Sequence, residues 1–418
     1  MQLNAILKVD RHVLARGWRR DDHAWLVPGA TKDRPLTVRA VSTQRPLIVH
    51  VTRQFLPNRG GLEDVIYNLC RQLVKRGFRV RVVTLDRLFS NPDLALPKTE
   101  LIDGIEVVRI PWRGSSRYPV APQVFRHIRD ADLVHVHAVD FFFDALSWTR
   151  LLHGRPLVAT THGGFFHTTN HARIKKIWFQ TVTRLSCMGY RQLACCSLSD
   201  ATLFRRIAGE QTIMIENGAD LSKFSDRGSK VPTRRVVTIG RFSSNKRLDH
   251  LIRTMVPLVR KDPAWRLDIV GVESDLNRAD LERLVSDTGL QDKIGLHVGL
   301  SNEEVAALLG QASIFASASE YEGFGLVAIE AMSAGLVPIL HENQAYRELA
   351  KKHRLLTITD FSNPETAAKA VEAGFARLQA EGGGLRDKLM QDAAIYSWET
   401  VTDRYLAAYE EAVPGITR

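Results

Sequence analysis

The stretch Pro46–Leu85, PLIVHVTRQFLPNRGGLEDVIYNLCRQLVKRGFRVRVVTL, decides the fold. Its opening run, residues 46–52, is short and apolar and reads as a buried strand. A loop follows and closes on Gly60-Gly61. From there Leu62, Val65, Ile66, Leu69 and Leu73 fall at helical spacing, and Arg76-Gly77 supplies the cation and the glycine that end a helix. RVRVVTL, residues 79–85, is the next strand. Strand, helix, strand in this order is the unit of a parallel sheet covered on both faces.

Outward from this unit the rhythm repeats. DLVHVHA (132–138), PLVATTH (156–162) and QLACCS (192–197) read as further strands, separated by helix-length segments. It then restarts with VVTIG (236–240), RLDIVG (266–271), KIGLHVG (293–299), ASIFASA (312–318) and LVPIL (336–340). Polar, turn-rich residues 216–235 separate the two series and mark a linker. A chain of 418 residues is also longer than one core usually serves. The expected fold class is therefore α/β, two doubly wound Rossmann-like domains over 46–215 and 216–395. Residues 1–45 read as an extension, and 396–418 as a closing helix with Val401, Tyr405, Leu406 and Tyr409 at helical spacing. Ligands of such sheets bind beyond the carboxyl ends of the strands, so two facing sheets predict a site in the cleft between them.

Composition narrows the classes. A hydrophobic fraction of 44% and a charged fraction of 25% suit a soluble globular chain and exclude collagen, coiled-coil and disordered compositions. No run reaches the length of a membrane span, and Lys8 and Asp10 break the N-terminal apolar stretch, so no secretory signal is expected. Cys70, Cys187, Cys195 and Cys196 lack CxxC spacing and read as structural thiols of a reduced compartment. Net charge is +11, divided as +15 over residues 1–210 and −4 over 211–418. The basic half includes Arg16, Arg19, Arg71, Arg76, Arg81, Arg173, Lys175 and Lys176 and suggests an anionic partner, with a solvated face as the plainer alternative. An anionic membrane surface fits better than nucleic acid, because no zinc-finger spacing, aromatic RNA-binding strand or basic heptad array accompanies the charge.

Three stretches carry candidate chemistry. Gly60-Gly61 opens a helix after a strand, where backbone can approach a phosphate, although such a pair is also a common turn. Arg241 and Lys246 lie beyond a strand end and before a helix, a placement that suits a diphosphate; solvated cations are the plainer alternative. In EYEGFGLVAIEAMSAGLVP (320–338), Gly323-Phe324-Gly325 exposes backbone N–H groups ahead of a helix from about Leu326 to Ala334. Glu330, inside that helix, is placed to accept two vicinal ribose hydroxyls, and Glu322 precedes the loop where a sugar ring could lie.

Taken in order and spacing, Gly60-Gly61, Arg241…Lys246 and Glu322-Gly-Phe-Gly-Leu…Glu330 resemble the retaining glycosyltransferases of family four, which have the GT-B fold; Asn217-Gly218 with Asp220 and Phe224 matches the linker pattern of that family. The likeness covers residues 46–412. It implies that the second domain binds a nucleotide-diphosphate sugar and the first faces the acceptor. Glu330 would hold the ribose. Arg241 and Lys246 would hold the diphosphate, with the backbone of Gly61 and Leu326. Glu322, Gly323, Phe324 and Gly325 would meet the donor sugar, and His162 would lie near the transferred sugar. His135, His137 and His167 are expected to be structural or on the acceptor side. With no DxD pairing in a suitable loop, since Asp132 and Asp140 do not form one, a metal-independent site without a cofactor is expected.

The activity this implies is retaining transfer of a hexosyl unit from GDP-mannose or a UDP-sugar to a saccharide or polyprenyl-diphosphate-linked acceptor, in bacterial exopolysaccharide or envelope synthesis. The enzyme would be cytoplasmic and peripheral at the inner face of the membrane. A nucleotide-sugar epimerase and a basic nucleic-acid-binding protein are the alternatives. An oxidoreductase is disfavoured because no GxGxxG follows a strand with an acidic residue some 20 positions on.

Overall fold

Leu47–Val51 forms a strand whose five residues are all buried, the pattern of a strand covered on both faces. It is the centre of an eight-stranded sheet in the computed structural model, which describes residues 20–21, 24–25, 45–162 and 177–418. The chain divides into two units, Met1–Pro46 and Leu47–Arg418. In the first, Arg20–Asp21 and Ala24–Trp25 pair as a small antiparallel hairpin, an element that the sequence pattern of the extension does not announce. Everything below concerns the second unit.

Across the first sheet the strands run Thr212–Met214, Gln192–Cys195, Leu157–Thr160, Leu133–His137, Leu47–Val51, Arg79–Leu85, Ile105–Ile110, Thr99–Ile102. Neighbours pair in parallel except at one edge, where Thr99–Ile102 is antiparallel to Ile105–Ile110. An all-parallel sheet is thus corrected to one with an antiparallel edge. Asp103-Gly104, both at positive φ, form a tight hairpin turn there, and a hairpin needs no crossover helix. The sequence order reverses between Leu47–Val51 and Leu133–His137, which puts a crevice at their carboxyl ends.

The second sheet runs Ile294–Val298, Arg266–Gly271, Arg235–Ile239, Ile314–Ser317, Val337–His341, Thr357–Thr359, all parallel. Its order reverses between Arg235–Ile239 and Ile314–Ser317. Residues 240–247 and 318–325, the stretches with the candidate cations and glutamates, leave the sheet at that point. Helices Pro364–Glu381 and Gly383–Ala394 complete this lobe. The strand-by-strand pattern did not reach them, because they follow the last apolar run.

Helix Trp398–Ala412 returns to the first lobe. Val401, Tyr405 and Tyr409 join one core cluster with Ile48, Leu69 and Leu73, and Gln72 donates to Glu399 at 2.8 Å. The linker is pinned beside it: Ala219 N–H donates to the Tyr396 carbonyl at 2.8 Å. No helix among the described residues is long and apolar enough to cross a membrane.

Close backbone approach fixes the crevice of the second lobe. Gly271, at the end of its strand, lies under Gly240; a Cβ at Gly271 would stand 1.7 Å from the Gly240 carbonyl oxygen. The two neighbouring strands cannot keep their ends and accept a side chain there. Gly271→Ala is therefore expected to lower stability by about 3 kcal/mol, on the scale of severe overpacking, with the loss read from urea midpoints.

Candidate active site

Lys246 stands at the end of a short 3-10 turn, Ser244–Lys246, that follows strand Arg235–Ile239. Its Nζ meets Glu322 Oε1 at 2.5 Å, and both side chains are mostly buried. Glu322 also accepts from Tyr346 OH at 3.3 Å, and the oxygen of that hydroxyl lies 2.9 Å from Ser317 Oγ, which can donate to it. Asn245 ties the same two loops by donating from Nδ2 to the Tyr321 carbonyl at 2.9 Å and accepting from Tyr321 N–H at 3.1 Å. The result is an ion pair held rigidly across the crevice. Arg241 is exposed on the rim and makes no ion pair among the described residues. Arg241, Lys246, Glu322 and Gly323, with Ser243, line one hollow of about 390 Å³.

Gly325 caps helix Leu326–Ser333 at φ 89°. A Cβ there would come within 2.8 Å of the Tyr346 ring, so two independent constraints require glycine. Phe324 packs edge-on against Tyr396, while Leu326 begins the helix with its side chain exposed. Amides of the first turn point into the loop region. Glu330, one turn further in, is half-buried, and burial raises its pKa above the ordinary 4.5; Lys223, 4.0 Å away, works against that rise. Lys223 lies in the linker turn Leu221–Lys223. The sequence reading missed it, although the matching linker pattern brackets it between Asp220 and Phe224.

On the first lobe, Gly60 caps helix Gly61–Lys75 in an extended conformation open to any residue, so backbone strain does not explain the glycine. At Gly61 nothing lies within 4 Å of a built Cβ, so no described contact requires glycine there and the helix start is open. The neighbouring Glu63 is held by Asn58 Nδ2 at 2.7 Å and already occupies part of the field of that helix start.

His162 follows strand Leu157–Thr160 at φ 52°, left-handed backbone that a β-carbon disfavours. It is the head of a row of imidazoles. His162 Nε2 and His137 Nδ1 are 3.0 Å apart, and His137 Nε2 and His50 Nδ1 2.9 Å apart. His50 Nε2 is buried with no partner, so the unpaired end of the row points away from His162. His135 lies alongside with both nitrogens engaged, by Tyr409 OH at 2.6 Å and Thr160 Oγ1 at 2.8 Å. Nitrogens of His50, His135 and His137 come within 4.8 Å of one another, but the hydrogen bonds already made use both nitrogens of His135. His167 lies outside the described residues. The row was not legible because its members come from three strands that are separated in sequence.

The structure thus gathers Arg241, Lys246, Glu322 and Gly323 at one switch point, with Phe324, Gly325, Leu326 and Glu330 continuing from it. Gly60, Gly61 and His162 stand at the carboxyl edge of the other sheet. Among the described residues no hydrogen bond or ion pair joins His162 to the Lys246–Glu322 pair. The other candidate acids have structural work: Asp132 accepts from Leu47 N–H at 2.8 Å, and Asp140 caps helix Phe141–Trp148 and pairs with Arg53 at 3.0 Å. All four cysteines are free and buried, and burial pushes the Cys187 and Cys196 thiols up to about 12.

Two family models match the chain. One, described as glycosyl transferases group 1, covers residues 222–376, and one described as glycosyltransferase family 4 covers 59–223. A GDP-mannose:cellobiosyl-diphosphopolyprenol alpha-mannosyltransferase of Xanthomonas campestris is 42% identical over 368 residues, 88% of this chain and 97% of its own. A protein of the same description from Komagataeibacter xylinus is 41% identical over 88% of this chain and 93% of its own. Among solved structures, a glycosyltransferase from Rickettsia africae superposes with a TM-score of 0.64 at 18% identity, over 89% of this chain and 99% of that one.

The imidazole row has a consequence for acid stability. Burial lowers the pKa of His50 to about 3 and of His162 to about 4, and drives His135 and His137 well below 6.5. Between those values and 6.5 the unfolded chain binds more protons than the folded one. The stabilisation is therefore complete above pH 6.5 and is lost as the pH falls toward 4. Urea midpoints measured across pH 4–8 are expected to fall over that window, and His50→Asn should make the slope shallower.

Proposed function

Since the chain belongs to the group 1 glycosyltransferases of family 4, an enzyme family of GT-B fold, we propose that it moves an α-mannosyl unit from GDP-mannose to a cellobiosyl-diphosphopolyprenol acceptor, with retained configuration. The donor and acceptor are those in the descriptions of relatives 41–42% identical along almost their whole length. The observation that carries the site assignment is the convergence of Arg241, Lys246 and Glu322 on one crevice where the second sheet reverses.

Lys246 and Arg241 take the donor diphosphate, with the amides at the start of Leu326–Ser333. Glu330 accepts the ribose hydroxyls. Glu322 and the Gly323–Gly325 backbone receive the mannosyl ring. When the bond from the anomeric carbon to the phosphate oxygen breaks, the electron pair stays on the diphosphate, and fixed cations stabilise the charge there without reorganising. The acceptor hydroxyl bonds to the anomeric carbon on the face the phosphate leaves, and its proton passes to the departing phosphate oxygen. His162 lies on the acceptor side and keeps water from that face. The protein works at the cytoplasmic surface of the membrane, where a polyprenyl-linked acceptor is presented.

Transfer of labelled mannose from GDP-mannose to the polyprenyl-linked disaccharide tests the reading; transfer only from another nucleotide sugar would replace the donor. Lys246→Ala and Arg241→Ala should each lower turnover by about 10²–10³-fold, the scale for removing one stabilising group from such a site. Glu330→Gln should weaken GDP binding about tenfold by calorimetry, because a charged acceptor is lost. Because burial raises the Glu330 pKa, wild-type GDP affinity should begin to decline above pH 4.5 on acidification, and the Gln variant should lose that part of the dependence.

A further inference from the structure

The first lobe carries an apolar surface that no described residue covers. Leu151 and Leu152, in the short helix Arg150–His153, are 97% and 87% exposed, and Trp148, just before them, is more than half exposed. Leu185 and Met188 project from the neighbouring helical segment, again more than half exposed, and Ile177 and Trp178 are exposed at its start. These two segments are neighbours in space: Ser147 Oγ donates to the Ser186 carbonyl at 2.6 Å, and Ser186 Oγ to Asp144 Oδ1 at 2.6 Å. A Cβ at Gly189 would lie 2.2 Å from Ser147 Oγ, so the contact is tight. Ile177, Leu185 and Met188 recur at helical spacing on the outer side, while Phe179, Thr183, Ser186 and Cys187 fill the inner side. The helix is thus apolar outward as well as inward, which a helix facing only water is not.

Charge says what covers this surface. Between Asp144 and Asp200, both buried, the sequence holds no acidic residue and seven lysines and arginines. Arg184 and Arg191 are exposed and Arg150 is half-exposed, and none of the three forms an ion pair among the described residues. Some arginines elsewhere in this lobe are paired, Arg81 with Glu106 and Asp130, and Arg76 with Asp403. Leucine, tryptophan and methionine rimmed by unpaired arginine match the boundary between headgroups and acyl chains, where apolar side chains bury and guanidinium groups meet phosphate.

We propose that the surface formed by Trp148, Leu151, Leu152, Leu185 and Met188, with Arg150 and Arg184, docks the enzyme on an anionic lipid bilayer. Its functional meaning rests on the lipid-linked acceptor proposed above, whereas the surface itself stands on exposure and charge. The surface lies where the chain enters strands Leu157–Thr160 and Gln192–Cys195, at the amino edge of the sheet, so docking would hold the acceptor-side lobe at the bilayer while its carboxyl edge, with His162, stays clear of the lipid.

The test is flotation of the full chain with vesicles of phosphatidylglycerol and phosphatidylcholine, set beside transfer to a water-soluble cellobiosyl-diphosphate acceptor. Wild-type protein is expected to float with anionic vesicles and not with pure phosphatidylcholine. Leu151→Glu/Leu152→Glu and, separately, Leu185→Glu/Met188→Glu should each reduce the bound fraction at least tenfold while leaving transfer to the soluble acceptor within about twofold of wild type. Because these side chains are already in solvent, folding is checked by unchanged thermal midpoints. Flotation equal to wild type in both variants would overturn the proposal, since the basic extension or another face would then carry the binding. A lipid-free dimer by sedimentation velocity, dissociated by the same variants without loss of flotation, would overturn it in favour of a second copy. Loss of all transfer in wild type, with flotation intact, would instead count against the glycosyltransferase substrates and not against the surface.

Discussion

The ion pair between Lys246 and Glu322 is the contact on which the candidate site depends. Either charge alone would be poorly solvated in its half-buried position, and together they bridge loops from two strands that are neighbours in the sheet but 76 residues apart in sequence. The topology makes this possible. A doubly wound sheet whose order reverses leaves two adjacent strand ends with their connections diverging to opposite faces, and the gap between is where side chains from both can converge. Tyr346 beneath Glu322 and Asn245 across the loop base then restrict the pair to one geometry. A phosphate-bearing ligand would meet in Lys246 a cation that is already oriented, and little would be spent on ordering it.

The first lobe solves a different problem. Its switch point is lined by neutral imidazoles, and the arginine beside them, Arg53, is compensated by Asp140 at 3.0 Å. Burial suppresses the charge of His50 and His162, burial together with the neighbouring imidazoles that of His137, and the hydrogen bonds among them keep nearly every nitrogen satisfied. One lobe thus offers fixed positive charge and the other a polar but uncharged wall. That division suits a reaction in which negative charge accumulates on one side only. The net charges of the two halves run the opposite way, +15 against −4, so overall charge is no guide to where the anion-binding groups lie.

The fold was legible in the sequence to the extent that it is built from local periodicity. Strand 47–51, the helix after Gly61 and the restart at 236 were read from apolar spacing, because buried parallel strands and amphipathic helices each impose a short repeat. The stretch 320–338 disclosed Glu322, the glycine loop and Glu330 together, since one loop and one helix hold all of them. What could not be read is whatever joins distant segments. Tyr346 supports Glu322 from the next crossover, Lys223 reaches Glu330 from the linker, and His50 meets His137 only after the sheet forms. The antiparallel edge was missed for a related reason: TELI, residues 99–102, is too short and too mixed to declare its direction. Asp140 shows the converse, an acid in a suggestive place that turns out to cap a helix.

The polypeptide passes between the lobes twice, once near Ile215–Ala219 and once near Tyr396–Trp398, and the two passages touch. Ala219 hydrogen-bonds to Tyr396, Ala219 and Ser397 form a bridge, and Gly218 lies so close to the Trp398 ring that a β-carbon would overlap it. Two parallel cords laced at one place behave as the pin of a door. Twisting and sliding of one lobe past the other are resisted by the lacing, and swinging about the pin is the remaining easy movement. The jaws so formed would open and shut along a single arc, delivering the two strand-end surfaces to the same mutual position at every turnover.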